Sequence, residues 1–335
     1  QRIGVIDIPT FYADFKAMQQ GDPNYTSTTR DVLKLLNELQ AEDDIDGLVI
    51  DLRGNGGGSL DEANRLTGLF IHEGPTVQIR SANDRVEVME DPDPKLVYDG
   101  PLMVLVDRLS ASASEIFAGA IQDYGRGVIM GSQTFGKGTV QSVRPLNHGQ
   151  LKITQAKFYR ISGASTQHKG VVPDIILPEI VDKTKVGEDS LDHALKWDSI
   201  ESAKFQNLNY VSSLTEKLID MHSQRIVLQP EYTILLEEIT LLESQRAKEK
   251  VTLNKKQREI ENTKFDDAQL AIINKRRKLD KLEPFKSIDA WSKFQKEKAR
   301  TPDEDKDKTD FIVEESAEVL LDFVELQEVL TAKAA

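Results

Sequence analysis

The chain has 335 residues, of which 39% are hydrophobic and 30% charged, with a formal net charge of −13 and no cysteine. This balance belongs to folded proteins with room for two domains of roughly 150 residues each. It excludes disulfide staples, thiol catalysis and cysteine-ligated zinc, and argues against a general nucleic-acid binder; no apolar run approaches the roughly 18 residues that span a membrane.

The first segment, Gln1-Arg2-Ile3-Gly4-Val5-Ile6-Asp7-Ile8-Pro9, reads as a strand already under way. With no initiator methionine and no targeting segment, the chain is expected to be a fragment of a longer one. Val32, Leu35, Leu36 and Leu39 form a helical stripe over Asp31 to Leu39. Gly47-Leu48-Val49-Ile50-Asp51 and Leu102-Met103-Val104-Leu105-Val106 are short continuous apolar runs, as expected of buried strands in an α/β sheet. Each leads through a loop to a helix, over Leu60 to Ile71 and over Glu115 to Tyr124. Val128-Ile129-Met130 is strand-like, and Thr139 to Ile161 is extended. Pro173 and Pro178 bracket the last core segment.

Beyond about residue 182 the composition shifts to few glycines and many Lys and Glu. Leu214, Leu218 and Met221, then Leu235, Ile239 and Leu242, recur at helical spacing. The run Asp303-Glu304-Asp305-Lys306-Asp307-Lys308 is expected to be a solvated linker before a last helix bearing Val313, Ala317, Leu320 and Val324. Most of this charge reads as wet helix faces. The predicted division is 1–182 for an α/β core and 183–335 for a mostly α-helical domain.

Three segments carry candidate chemistry. Ser110-Ala111-Ser112-Ala113-Ser114-Glu115 lies between a strand and a helix, where unpaired helix N–H groups favour negative charge. The bland alternative is a capping box, Ser112-x-x-Glu115, and local sequence does not rank the three serines. Phe135-Gly136-Lys137-Gly138 supplies an amine between two glycines, either a base or a lysine in a surface turn. A basic lysine must be neutral, so its pKa of about 10.4 has to fall by about 3 units, which burial can achieve. Asp51-Leu52-Arg53-Gly54-Asn55-Gly56-Gly57-Gly58 ends a strand in amides able to bind an oxyanion, or is simply a flexible loop. Gly131 to Lys137 also matches the start of a phosphate loop, yet Gly138 stands where Ser or Thr should hold magnesium and a strand follows instead of a helix. His72, His148, His168, His193 and His222 show no metal-ligand spacing. No metal or cofactor is expected.

Together these segments resemble the tail-specific proteases, or C-terminal processing peptidases, most closely the bacterial periplasmic members. The resemblance runs through nearly the whole chain: the Ile3–Ile8 strand, D-L-R-x-N-G-G-G, S-A-S-A-S-E-I-F, Q-D-Y-G, T-F-G-K-G-T-V-Q, K-G-V-V-P-D-I, and Trp197-Asp198-Ser199-Ile200 within the charged half. It implies a ClpP/crotonase-like α/β peptidase core followed by the helical domain. It also implies Ser112 as nucleophile, Lys137 as general base and Gln141 as the residue orienting that lysine. Asp123 matches an acidic position that supports activity through architecture. Gly57 and the Ala113 amide correspond to the oxyanion-hole donors, with Gly56 or Gly58 as alternatives to Gly57.

By the same resemblance the expected activity is serine endoproteolysis of proteins with accessible nonpolar C-terminal tails, through an acyl-enzyme. The implied partners are those protein substrates and a lipoprotein adaptor of tetratricopeptide repeats, and the implied location is the periplasm. By the resemblance, family members carry an N-terminal helical region and a PDZ domain ahead of this core; as a fragment this chain is expected to lack both, with weakened tail recognition. A catalytically silent fragment whose helical half docks partner proteins is the alternative, and nucleotide hydrolysis at Lys137 a third.

Overall fold

The computed structural model describes residues 1–42, 45–91, 95–298 and 310–334. The acidic run Asp303 to Lys308 lies outside the described residues. In chain order the elements are β1 (Ile3–Asp7), α1 (Phe15–Gln19), α2 (Thr28–Glu42), β2 (Gly47–Asp51), α3 (Leu60–Gly68), β3 (Gly74–Ser81), β4 (Val86–Asp91), β5 (Leu102–Val106), α4 (Ala113–Asp123), β6 (Val128–Gly131), β7 (Thr139–Pro145), β8 (Gln150–Tyr159) and β9 (Ile175–Ile176). The helices α5 (Thr215–Ile226), α6 (Pro230–Arg246), α7 (Lys255–Leu279), α8 (Ile288–Lys298) and α9 (Phe311–Ala334) follow.

Two sheets organise the first part. A parallel sheet runs in the order β1-β2-β5-β6-β9, and an antiparallel sheet in the order β4-β3-β8-β7. The continuous apolar runs form the centre of the parallel sheet, where every residue of β5 and β6 is buried. Helices cover such strands, which explains why they read as uninterrupted hydrophobic runs. Leu48, Ile50, Val104 and Ile129 join Leu36, Leu66, Phe70 and Phe117 in one core. The mixed α/β class and the helical C-terminal half follow expectation. The β3–β4 hairpin was not anticipated, because Val86-Glu87-Val88-Met89-Glu90 is largely exposed and carries no apolar run.

The chain divides into two compact units. One comprises Gln1–Leu177, Val181–Ile219 and Ser316–Ala335; the other comprises Pro178–Ile180 and Asp220–Glu315. Within the first, Leu320 of α9 packs directly against Gly47 of β2, where an added Cβ would come within 2.8 Å of the leucine. Val319 and Phe323 are buried beside it. Within the second, α6 and α7 carry the ion pairs Lys275–Glu237 and Arg276–Glu238, at 2.6 and 2.9 Å. Glu315 is held by His222 and Arg225 of α5 at 2.8 and 2.9 Å. Among the described residues no helix is long and apolar enough to cross a membrane.

Candidate active site

The loop after β5 sorts its three serines. Ser110 and Ser114 are both fully buried. Ser110 Oγ donates to the Leu52 carbonyl at 2.8 Å, and Ser114 Oγ to the Asn55 carbonyl at 2.9 Å. Both tie this loop to the glycine loop after β2. Ser112 instead lines a cavity of about 560 Å³ shared with Gly56, Gly57, Gly58, Lys137 and Gln141. Its backbone lies at φ +58°, ψ −109°, outside the usual regions for a side-chain-bearing residue. Such a conformation costs about 1–3 kcal/mol and survives only where the surroundings impose it. The capping box does form, its tight half being the Ser112 N–H donated to the Glu115 carboxylate at 2.7 Å. The hydroxyl half falls short of hydrogen-bond geometry.

Glycine is required in the facing loop. Gly57 has φ +99°, and a Cβ there would lie 2.6 Å from the Ala111 carbonyl, 2.9 Å from Ser112 Cβ and 3.0 Å from the Ala113 nitrogen. This close approach brings the loop's amides beside the first turn of α4. The Gly57 N–H itself donates to Asn55 Oδ1 at 2.9 Å. No hydrogen bond engages the amides of Gly56 or Gly58 among the described residues.

Lys137 sits in the loop between β6 and β7, half-buried. Burial holds its amine below the ordinary lysine range. The charge of Lys152 acts in the same direction, while Glu188 and Glu115 oppose it. The loop is fixed by Glu115, which is fully buried. Its carboxylate accepts from Thr134 Oγ1 at 2.6 Å, Gly136 N at 2.7 Å and Lys137 N at 2.9 Å, besides Ser112 N. Burial pushes this carboxyl up to about 7 against the pull of those four donors. Gly136 and Lys137 thus spend their amides on a carboxylate, and Gly138 leads into β7, so the phosphate-loop alternative finds no support.

The remaining predicted residues divide. Gln141 lies on β7 at the cavity, exposed, with Nε2 reaching Thr154 Oγ1 at 3.3 Å. Asp123 does not line the cavity. It ends α4 in an ion pair with Arg160 at 2.5 Å and accepts from Ser162 Oγ at 2.9 Å. The first helical residue, Ala113, is buried behind Ser112.

Several residues that hold this site carry no functional signal in the sequence, where Glu115 shows only as half of a cap. Gln167 accepts from Gly138 N at 2.9 Å and donates to Glu188 at 3.0 Å, while His168 N–H donates to the Gly136 carbonyl at 2.8 Å. Arg108, fully buried, donates to the Thr134 and Val186 carbonyls at 2.8 and 2.7 Å. Leu60, Ile116, Val140 and Phe158 supply apolar walls to the cavity. All of these are assembled from distant parts of the chain.

The comparisons with known proteins concern the same residues. Residues 2–177 match peptidase family S41, and residues 181–325 match the C-terminal domain of tail specific protease. The tail-specific protease of Haemophilus influenzae is 42% identical over 336 residues, covering 97% of this chain and 45% of that one. The carboxy-terminal-processing protease of Bartonella bacilliformis is 39% identical over 184 residues, covering 51% of this chain and 42% of its own. Among solved structures, a photosystem II D1 C-terminal processing protease aligns with a TM-score of 0.45 and 32% identity, over 54% of this chain and 44% of that one. The chain spans less than half the length of these relatives. With its first 177 residues matched almost end to end, the chain belongs to peptidase family S41.

Proposed function

We propose that this chain carries the catalytic part of a serine endopeptidase working through a Ser112–Lys137 dyad. The observation that carries the reading is that Ser112 and Lys137 line one cavity, with the lysine's charged form disfavoured by burial. Neutral Lys137 takes the proton of Ser112 Oγ as that oxygen attacks the scissile carbonyl carbon. The Ala113 N–H and an amide of the glycine loop stabilise the oxyanion; Gly56 and Gly58 have amides free for this, whereas Gly57 would have to give up Asn55. The Lys137 ammonium then protonates the leaving amine. Water, deprotonated by the same amine, hydrolyses the acyl-enzyme. Gln141 steadies the lysine from β7, and Asp123 supports α4 from outside the cavity.

The substrates of this reading are proteins with accessible nonpolar C-terminal tails. Leu60, Ile116, Val140 and Phe158 offer an apolar wall for a substrate side chain, and β7, the terminal strand of its sheet, offers an edge on which an extended peptide aligns. The names of the two relatives support tail processing. The reading also places the protein in the periplasm, takes residues 1–182 as the peptidase core, and assigns docking of a tetratricopeptide-repeat lipoprotein to residues 183–335. The test is cleavage of an unfolded reporter with a nonpolar tail, in parallel by wild type and Ser112→Ala. Wild type is expected to cut and the variant to be inert; equal rates would overturn the assignment.

A further inference from the structure

Lys152 is the second lysine in the cavity that holds Ser112 and Lys137. On β8 it pairs with Val143 of β7, next along the ladder from Gln141 and Thr154 with one pair between. Alternate residues of a strand share a face, and the ladder is regular from Gln141–Thr154 to Val143–Lys152, so Lys152 stands on the side of Thr154 and Gln141, and Gln141 also lines the cavity. The residues lining this cavity include no carboxylate, and none is ion-paired to Lys152 among the described residues. In a chain of net charge −13, the charged side chains that line this cavity are thus both lysines.

We propose that Lys152 is an electrostatic positioning residue, whose ammonium in the cavity disfavours a second positive charge beside it and so keeps the Lys137 amine in the neutral form that attack requires. The inference rests on the reading of Lys137 as the base. The charged groups facing Lys137 come from three elements. Glu115 on α4 and Glu188 in the turn Glu188–Ser190 both favour the ammonium, and Lys152 on β8 opposes it. After burial, Lys152 is the largest of these influences and outranks either carboxylate. A neighbouring like charge lowers the proton affinity of an amine without touching the substrate, a device that activates lysines elsewhere in enzymes. Because Lys152 is exposed on its strand, replacing it leaves the core packing intact.

The experiment reads Lys137 twice. In the Ser112→Ala background, where no turnover interferes, acetic anhydride labels Lys137 at a series of pH values, with modification followed at that residue by mass spectrometry. In the otherwise wild-type chain, kcat/KM on a nonpolar-tailed reporter is followed over the same range. Lys152→Met is expected to raise the labelling midpoint by about half to one pH unit. The rising limb of the kcat/KM profile should move equally, a loss of about three- to tenfold below the midpoint. Lys152→Arg should restore both. An unmoved labelling midpoint in Lys152→Met overturns the inference and leaves the dyad standing. So does an effect confined to KM for substrates with acidic residues near the cut, which would make Lys152 a specificity residue. If labelling shifts while the kcat/KM profile stays in place, Lys137 is not the base, and the dyad reading falls with the inference.

Discussion

The backbone amides of Ser112 and Lys137 donate to the same oxygen, Glu115 Oε2, at 2.7 and 2.9 Å. One buried carboxylate on the first turn of α4 thereby sets the separation of two residues that are far apart in sequence. Both residues line one cavity, and their main chains are pinned to a common point. The other oxygen of Glu115 takes Thr134 Oγ1 and Gly136 N, which fixes the lysine loop on its far side.

Removing that acceptor should separate the two residues of the proposed dyad. Glu115→Gln places an amide NH₂ against donors that need an oxygen, leaving one or more buried N–H groups unpaired at about 1–3 kcal/mol each. The expected outcome is a kcat loss on the order of a hundredfold with a lowered thermal midpoint. Far-UV circular dichroism and single-turnover kinetics check that the fold persists while chemistry slows.

Glu115 also predicts a slope of stability with pH. Its folded pKa of about 7 lies above the ordinary glutamate value of 4.5. A raised acid pKa means the folded state favours the proton, so this contribution is full below pH 4.5 and is lost as pH rises through 7. The change amounts to roughly 3 kcal/mol across that window. Urea midpoints measured at pH 5 and pH 8 should differ by less in Glu115→Gln than in wild type; an equal difference would remove Glu115 as the source.

Lys137→Arg installs a permanent cation of similar reach. If neutral lysine is the base, kcat should fall by about a thousandfold or more at every accessible pH. On the same proposal, wild-type activity should rise with pH through the lowered Lys137 value, because only a deprotonated amine can accept the serine proton. A kcat/KM profile from pH 5 to 10 checks both statements.

The strained backbone at Ser112 gives a test independent of activity. Ser112→Gly removes the Cβ that disfavours φ +58°, whereas Ser112→Ala keeps it. Both variants should be inactive, and the glycine variant should be more stable than the alanine one by about 1 kcal/mol. Paired thermal unfolding curves decide it.

Asp123 separates architecture from proton transfer. Its carboxylate is paired with Arg160 at 2.5 Å, and both side chains are largely buried. Asp123→Asn leaves a buried guanidinium uncompensated, with an expected stability loss of about 3 kcal/mol. Activity should fall with the folded fraction, and the pH midpoint of the remaining activity should stay where it was. A moved midpoint would place Asp123 in the chemistry.

Much of this protein was legible without coordinates. Apolar runs at Gly47–Asp51 and Leu102–Val106 declare buried parallel strands, since only a sheet covered on both faces tolerates such continuity. The glycine cluster and the serine loop announce strand-to-helix turns, and their residue types carry the resemblance to a peptidase family. These are local signals, set by periodicity and backbone preference within a dozen residues.

Which serine faces the cavity was not local. Ser110, Ser112 and Ser114 share one chemistry, and only the carbonyls of Leu52 and Asn55, from another loop, take two of them out of play. The lysine's surroundings, Glu115, Lys152 and Glu188, converge from α4, β8 and a turn past residue 182, and α9 returns to pack Leu320 on Gly47. Desolvation and charge act through space, so the proton affinity of Lys137 belongs to the assembled fold. The sequence alone determined which groups are available; their states were decided only once tertiary packing set what lies beside them.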